Sequence, residues 1–523
     1  MIMNSEKITD YFKSFTLDAY EKLIDSFGLI KTWAYILEFI SNKTIDQLQE
    51  NELLSFDNLG ELYEIGLAHS NKIAKKDMGK YYTPKDVCLV MTELLLENEI
   101  ETIADVGCGT GNLIIEVLSS LKEKTNIDPI DFILEGKLYL YDIDSLAVDI
   151  CLAKIDILLG KKVSQKVNVI SGDFLDKKIS LPPGISVITN PPYSLIKQFG
   201  KNWNVDEVLL QAKDLYAGFM NKIMNYCKNA VIVSPQSYLV ASKFSKLRKK
   251  LGEKFYGEIF SFDNVPGTLF NGRKKGIFNT NSANGVRASI TSLKSNGHQG
   301  FKLTHLIRFR NDQRGEVINL DFLRSKLGNQ VQKFDEQPIK AFKELEPMLE
   351  EIAQTKTENE RKYISDLIQF EPSLQNPEYK LYVSTSARYF TLASKKALER
   401  KGYFTIYAKD EQSFDLLYSL INSSYAYMWW RFSDGGITFT KRNLFSIPYD
   451  EKMLEKVIDI EDLVSTMIEK EKDYVSYKVN AGERQESIKF PAEYRDKINE
   501  VLFPEYADDM KLLHKNYEVV DEQ

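Results

Sequence analysis

The sequence predicts an α/β protein built on a doubly wound parallel sheet. Short apolar runs of strand length recur from residue 102 onward, and each of the first four ends in a polar cluster. Helical patterns separate these runs, and the first run opens into a glycine-rich loop followed by an amphipathic helix. Strands that alternate with helices form parallel sheets whose ligands bind at the carboxyl edge. We therefore expect the polar clusters to meet along one edge of the sheet.

The composition is that of a globular protein with two or three domains. The 523 residues are 43% hydrophobic and 27% charged, with a net charge of -7. No apolar run reaches the roughly 18 residues of a membrane helix, and the N-terminus lacks a basic region followed by an apolar core. We therefore expect a cytoplasmic protein with no membrane partner. The four cysteines are widely spaced, so we expect neither disulfides nor a metal site.

We expect four regions along the chain. They are an N-terminal helical segment (1–78), the doubly wound domain (79–325), a connector helix with a second, α+β domain (326–450), and an acidic helical region (451–523). In the second domain the patterns predict a helix over 334–357, strands over 379–383 and 403–407, and a helix over 413–432. The N-terminal segment is acidic, so we expect it to brace the next domain.

The doubly wound domain opens with a helix over 85–97, for which Thr83 is the expected N-cap and Pro84 the first helical residue. A strand then ends in Asp105, and Gly107, Gly109 and Gly111 follow at alternate positions before a helix over 113–122. Glycine lets a backbone approach a ligand closely, and the start of the helix offers unpaired N–H groups. This loop predicts a ligand site.

Acids stand at the ends of the next two strands. Asp142 follows a strand over 137–141, where an acid can hold both ribose hydroxyls of an adenosine ligand. Asp173 follows a strand over 167–170 and could accept the amino group of the same ligand's adenine. Later apolar runs predict further strands over 230–239, 259–262 and 289–293.

The fourth strand, over 185–189, leads into Asn190, Pro191, Pro192 and Tyr193. Two prolines cannot continue a strand ladder, so the chain leaves the sheet in a rigid turn. The Asn190 side-chain carbonyl and the Pro191 carbonyl could accept the two hydrogens of an amino group on a planar base, while the Tyr193 ring stacks on that base. A purely structural turn with a packed tyrosine is the alternative for this tetrapeptide taken alone.

Five motifs resemble those of S-adenosyl-L-methionine-dependent adenine-N6 DNA methyltransferases of the restriction-modification type. In chain order they are 79–84, 105–111, Asp142, Asp173 with Phe174, and 190–193. The resemblance is to the subgroup in which cofactor motifs come first, the catalytic tetrapeptide next and a target-recognition domain last. It covers residues 79–294 by motif and 381–449 more loosely. The resemblance implies a Rossmann-like methyltransferase sheet, S-adenosyl-L-methionine as cofactor and double-stranded DNA as partner.

The resemblance also implies roles for particular residues. Cofactor-binding roles fall on Tyr82, Thr83 and Pro84 at the methionine end, on Asp105, Gly107, Gly109 and Gly111 in the loop, on Asp142 and Ile143 at the ribose, and on Asp173 and Phe174 at the adenine. The catalytic residues are Asn190, Pro191, Pro192 and Tyr193. A direct displacement on a flipped-out adenine is expected, without a covalent enzyme intermediate.

A second aromatic residue is expected to stack on the other face of the flipped base. Phe278 is the preferred candidate and Phe270 the alternative, and either residue could instead belong to the core. DNA contacts are expected from two basic clusters. One comprises Arg273, Lys274 and Lys275, within a run of nine basic residues over 273–314, and the other comprises Lys441 and Arg442 beyond a Gly-Gly pair.

Several functions remain compatible with these residues. The leading one is a sequence-specific DNA adenine methyltransferase that acts alone or beside a separate restriction endonuclease. A modification subunit that needs a specificity subunit is an alternative, and so is a methyltransferase acting on RNA adenine or protein glutamine. A DNA-binding regulator on an inactive methyltransferase scaffold is the non-enzymatic alternative, which the intact motif residues disfavour.

Overall fold

The computed structural model describes residues 83–270, 286–295, 300–332, 334, 338–354, 361–436, 438–480 and 483–515. Several sequence predictions lie outside these residues. They are the N-terminal helical segment (1–78), the cofactor residue Tyr82, the stacking candidate Phe278, and the basic residues Arg273, Lys274 and Lys275.

A sheet of eight strands forms the first domain, in the order β3-β2-β1-β4-β5-β7-β6-β8. Its strands are β1 (Ile103–Val106), β2 (Leu138–Asp142), β3 (Asn168–Ser171), β4 (Ile185–Thr189), β5 (Cys227–Pro235), β6 (Phe255–Phe262), β7 (Ala288–Ser295) and β8 (Phe301–Ile307). The pairings among β1 to β5 are parallel, whereas β7 runs antiparallel to β5 and β6. This is the doubly wound, Rossmann-like sheet that the sequence predicts, extended by β8.

Helices cover both faces of this sheet. They are α1 (Lys85–Leu96), α2 (Asn112–Thr125), α3 (Pro129–Leu134), α4 (Ser145–Leu159), α5 (Glu207–Ala212), α6 (Leu215–Ile223), α7 (Ser237–Val240), α8 (Ser245–Lys254), α9 (Arg314–Val317) and α10 (Leu320–Ser325). Successive strand residues enter opposite cores: Ile103 packs with α1 and α2, whereas Ala104 packs with α6 and α8. The strands are therefore buried on both faces, which explains their continuous apolar runs.

The strand order reverses between β1 and β4. Ala104 pairs with Tyr139 of β2 on one side and with Val187 of β4 on the other. In open α/β sheets ligands bind beyond the carboxyl ends of the strands at such a reversal. The glycine loop after β1 and the tetrapeptide after β4 are thus neighbours at the expected crevice.

The second domain has a separate core. It contains β10 (Lys380–Ser384), β11 (Ala393–Ser394) and β12 (Tyr403–Tyr407) in one sheet, the pair β9 (Lys362–Tyr363) and β13 (Pro448–Tyr449), and the hairpin β14 (Val475–Asn480) and β15 (Glu483–Ile488). Its helices are α11 (Glu346–Gln354), α12 (Glu411–Asn422), α13 (Ser424–Ser433), α14 (Lys441–Phe445), α15 (Glu451–Lys456), α16 (Glu461–Lys470), α17 (Ala492–Leu502) and α18 (Ala507–Met510). One hydrophobic cluster runs from Ala341 to Leu513. This core includes residues on both sides of the division that the sequence suggests after residue 450.

Some predicted elements differ from the structure. The connector helix predicted over 334–357 begins only at Glu346, and its described residues are Glu346–Gln354. The helix predicted over 413–432 is two helices, because Ser423 is extended and caps α13. The acidic region after 450 contains the β14–β15 hairpin besides helices. The strand predicted over 230–239 ends at Pro235, and α7 follows.

Basic residues of the 273–314 run hold the protein together. Arg287 and Arg308 both pair with the buried Asp263, at 2.8 and 2.7 Å. Arg308 also donates to the Arg388 carbonyl in the second domain, and Arg314 holds Asp86 and the Thr268 carbonyl. The charge of these three arginines therefore serves internal ion pairs, which corrects the use of the run as a sign of an anionic partner.

Across the described ranges, no helix has both the length and the apolar character that a membrane crossing requires. The same ranges contain no group of His, Cys, Asp and Glu side chains suited to a metal ion.

Candidate active site

The glycine loop adopts a conformation that glycine favours. Gly107, Gly109 and Gly111 have φ angles of 76°, 51° and 82°. A Cβ on Gly109 would have no atom within 4 Å, so that glycine borders open space, whereas a Cβ on Gly111 would lie 2.3 Å from Cys151 Sγ. Gly109 therefore keeps room at the crevice, and Gly111 allows the loop to pack on α4.

Asp142 braces this loop from the end of β2. Its Oδ2 accepts the Gly109 N–H at 2.8 Å, and its Oδ1 accepts the Asp144 N–H at 2.9 Å. The neighbouring Ile143 is 69% exposed. Asp142 thus lies at the expected ligand edge, beside an apolar side chain that faces solvent.

Asp105 is a buried acid beneath the same loop. It is 1% exposed, and neither carboxylate oxygen has a hydrogen-bond partner among the residues that the structure describes. Burial raises its pKa well above the ordinary value, and the charge of Asp142 raises it further. A buried carboxylate without donors is costly, so this residue is suited to a ligand that brings a donor or a positive charge.

Asn190 is joined to the start of the doubly wound domain. Its side-chain Nδ2 donates to Thr83 Oγ1 at 3.0 Å. Thr83 is not the N-cap of α1: the helix begins at Lys85, with Pro84 in the cap position. The Thr83 hydroxyl is instead directed at the tetrapeptide, and the Asn190 main-chain carbonyl lies 3.9 Å from where a Gly107 Cβ would be. The motifs around residues 83, 107 and 190 therefore converge.

Tyr193 is held by the sheet and by other aromatic residues. Its hydroxyl donates to the Val233 carbonyl at 3.1 Å. Tyr216 and Phe270 make edge contacts with its ring, at 6.4 and 6.0 Å between ring centroids. Phe270 is only 4% exposed and belongs to the core, so in this conformation it supports Tyr193.

Asp173, the residue predicted to bind the adenine, is hydrogen-bonded to a tryptophan. Asp173 Oδ2 accepts the indole N–H of Trp203 at 2.6 Å, and Oδ1 accepts the Leu175 N–H at 3.0 Å. Phe174 is 3% exposed and packs between Tyr141 and Phe219. Phe174 therefore belongs to the core under the pocket.

Lys154, which the sequence reasoning missed, clamps the glycine loop. It is 1% exposed, and its Nζ donates to the Thr110 carbonyl at 3.0 Å and to Asn112 Oδ1 at 2.9 Å. A lysine within the mostly apolar helix α4 was the only available signal, because its partners lie more than forty residues away.

The basic residues Lys441 and Arg442 are exposed at the start of α14. Lys441 Nζ lies 5.9 Å from the centre of the Phe404 ring. Burial lowers the pKa of the Arg248 guanidinium in α8, and the nearby positive charge of Arg442 lowers that pKa further. This cluster thus faces solvent near the junction with the first domain.

Known proteins resemble one part of this chain. Residues 54–274 match the family described as N-6 DNA Methylase. The methylase subunit of the type I restriction enzyme MpnII from Mycoplasma pneumoniae is 25% identical over 204 residues, which are 37% of this chain and 35% of that protein. The MjaVII methylase subunit from Methanocaldococcus jannaschii is 27% identical over 184 residues, 33% of this chain and 29% of that protein.

Solved structures resemble this chain at low identity. A nuclease-deletion mutant of the type ISP restriction-modification enzyme LlaGI, with a DNA substrate mimic, is 13% identical, with a TM-score of 0.43 over 91% of this chain and 64% of its own. A protein from Listeria monocytogenes described as a putative class I S-adenosylmethionine-dependent methyltransferase is 16% identical, with a TM-score of 0.35 over 58% of this chain and 92% of its own.

The matched segment contains the glycine loop, the strand-end acids Asp142 and Asp173, and the tetrapeptide 190–193. The chain spans about a third of the length of the curated relatives it matches. Over residues 54–274 this chain therefore resembles the N-6 DNA methylases.

Proposed function

We propose that this chain is a site-specific DNA methyltransferase that transfers a methyl group from S-adenosyl-L-methionine to the N6 amino group of adenine in double-stranded DNA. The hydrogen bond between Asn190 and Thr83 is the observation that carries this proposal. It joins the tetrapeptide to the first cofactor motif beside the glycine loop. The match of residues 54–274 to the N-6 DNA methylase family supports the same activity.

The residues at the crevice fit the proposed cofactor. Asp105 has two buried oxygens without donors, which suits the amino group of a methionine moiety. The open space at Gly109 leaves room for a ligand against the loop backbone. Asp142 and Ile143 offer a carboxylate and an exposed apolar side chain, which suit a ribose and the face of an adenine. When bound, the cofactor supplies an electrophilic methyl group on a sulfonium sulfur.

Asn190 and Pro191 would activate the target amine. The lone pair of an adenine amino group is delocalised into the ring, so the amine is a weak nucleophile. Acceptance of its hydrogens by the Asn190 side chain and the Pro191 carbonyl localises that pair. Because Thr83 holds the nitrogen end of the Asn190 amide, the orientation of its carbonyl end is set before the base arrives. The rate would come from positioning and preorganised dipoles, without a covalent intermediate.

The target amine is shielded in a duplex, so we propose that the adenine is flipped out and stacks on Tyr193. The Tyr193 hydroxyl is tied to the Val233 carbonyl and the ring is flanked by aromatic residues, so its orientation is fixed. Phe278 stays the proposed second stacking residue. Lys441, Arg442, Arg273, Lys274 and Lys275 are proposed to contact DNA.

The test is expression of this chain alone in a host without DNA methylation, followed by sequencing that detects modified bases. Methylated adenine within one short motif would support the proposal. Asn190→Ala should lower the turnover of the purified protein by about a hundredfold or more, with cofactor binding nearly intact. An Asn190→Ala variant that kept most of its activity would contradict the mechanism.

A modification subunit is the second candidate, because the curated relatives are named methylase subunits of type I restriction enzymes. In that case the chain alone would bind cofactor but would methylate DNA only after a specificity subunit is added. DNA binding by the purified chain alone would argue against this second candidate. Salt titration of DNA binding tests where the DNA lies. If Lys441 and Arg442 each contact a phosphate, their replacement by alanine should reduce the salt slope by about 0.9 per contact. An unchanged slope would place the DNA elsewhere.

A further inference from the structure

The carboxylate of Asp173 is oriented by two donors from different segments. Oδ1 accepts the main-chain N–H of Leu175 at 3.0 Å, and Oδ2 accepts the indole N–H of Trp203 at 2.6 Å. The first donor belongs to the same turn and restrains the carboxylate locally. The second comes from the loop that leaves the tetrapeptide. The rotation of this carboxylate therefore depends on a residue outside the motifs that the sequence reveals.

Trp203 is itself held firmly in place. Its main-chain N–H donates to the Gly200 carbonyl at 3.1 Å, and its neighbour Asn202 accepts the Lys177 N–H at 3.0 Å. The indole lies directly against Gly200, where a Cβ would be only 2.3 Å from Nε1. The Phe199 ring packs edge-on at 6.4 Å. The loop thus has a shape, dependent on glycine, that presents the indole N–H to Asp173.

A half-buried tryptophan that merely satisfies its N–H would be the ordinary explanation for this contact. Two features favour a role at the site. The indole bonds the one acid that stands at the carboxyl end of β3, on the edge where Asp105 and Asp142 also lie. A hydrogen bond to an ionised group is also stronger and more directional than one to a neutral group.

We propose that Trp203 is a positioning residue for adenine recognition: its indole N–H fixes the Asp173 carboxylate in the rotation that accepts the 6-amino group of the cofactor's adenine. This assignment rests on the proposed function, because it takes S-adenosyl-L-methionine as the ligand. Each carboxylate oxygen can accept more than one hydrogen, so Trp203 and the adenine amine can share the group.

The experiment measures the binding of two ligands by calorimetry. One is S-adenosyl-homocysteine, and the other is its analogue in which purine without the amino group replaces adenine. Trp203→Phe keeps the ring and removes the donor. We expect its affinity for S-adenosyl-homocysteine to fall about tenfold, whereas its affinity for the analogue stays within about twofold of that of the unaltered protein. A loss confined to the amino-bearing ligand is a result that general damage to the loop does not give.

Two further variants complete the test. Gly200→Ala should show the same ligand-dependent loss, because the new Cβ collides with the indole nitrogen. Trp429→Phe is the matched control, since its indole donates to Ser446 Oγ at 3.1 Å in the second domain, and it should bind both ligands normally. Equal losses for both ligands, or no loss, in Trp203→Phe and Gly200→Ala would overturn the assignment. If the unaltered protein binds neither ligand, the proposed function fails first, and this inference with it.

Discussion

Gly109 and Gly111 offer a matched pair of substitutions in one loop. Both glycines have positive φ angles, of 51° and 82°, but their surroundings differ. The Cβ of an alanine at 109 would enter open space, whereas at 111 it would lie 2.3 Å from Cys151 Sγ and 3.0 Å from Cys151 Cβ. Gly111→Ala should therefore damage stability, and Gly109→Ala should damage ligand binding.

The magnitudes follow from these two surroundings. A left-handed backbone costs an alanine about 1–2 kcal/mol relative to glycine, and this applies to both variants. Alanine also leaves the unfolded chain less flexible than glycine does, which adds back about 0.4–1 kcal/mol of unfolding free energy. Overpacking against Cys151 adds about 1–3 kcal/mol at position 111 only. We expect Gly109→Ala to lose about 1 kcal/mol of unfolding free energy and Gly111→Ala about 2–4 kcal/mol.

The assay is urea unfolding followed by circular dichroism, combined with titration of S-adenosyl-homocysteine. Gly109→Ala should weaken ligand binding by roughly tenfold or more, because its methyl group occupies the space proposed for the ligand. Cys151→Ala in the Gly111→Ala background removes the clashing sulfur. The double variant should be more stable than the sum of the single losses by at least about 1 kcal/mol.

Three outcomes would refute this reasoning. Equal unfolding free energies for Gly109→Ala and Gly111→Ala would show that the contact with Cys151 does not restrict the loop. Additive losses in the double variant would show that the sulfur is not the atom responsible. Normal ligand binding by Gly109→Ala would move the proposed cofactor away from the glycine loop.

Three more predictions concern single side chains. Burial lowers the pKa of Lys340 to about 7, so above pH 7 the unfolded chain binds more protons than the folded chain. The free energy of unfolding should therefore rise toward pH 10 by up to about 1.4 kcal/mol per pH unit from this group. Lys340→Met should remove that part of the pH dependence of urea midpoints, and an unchanged pH dependence would contradict the shift. Thr83→Val should lower turnover about fivefold to tenfold, because it removes the bond to Asn190; unchanged turnover would contradict this. Lys154→Met leaves the Thr110 carbonyl without its donor and should reduce unfolding free energy by about 1–3 kcal/mol, measured by urea unfolding; unaltered stability would show that the clamp is dispensable.

Local patterns predicted the sheet well. Strands β1 to β4 lie within one or two residues of their predicted ranges, because buried parallel strands are short apolar runs bounded by polar turns. Strand β8 was missed, since Phe301–Ile307 mixes lysine, threonine and histidine with its apolar residues. The Gly-rich loop was predicted for the same reason as the strands, as it depends on neighbouring residues only.

Contacts between distant segments could not be predicted. The hydroxyl of Thr83 was assigned to the nearest helix, whereas its partner Asn190 comes from a strand end far along the chain. Trp203 and Lys154 act through bonds that exist only after the sheet is assembled. The arginines at 287 and 308 looked available for an external anion, because composition does not reveal that both pair with Asp263.

The continuous core from Ala341 to Leu513 determines how this protein can be recombined. Helices α15 to α18 contribute side chains such as Val464 and Ile498 to the same interior as β10 and α12. A chimeric protein joined at residue 450 would combine core residues from two different proteins, and their side chains would not be expected to pack well together. Exchange of this domain between related proteins would therefore require transplanting the whole of residues 341–513.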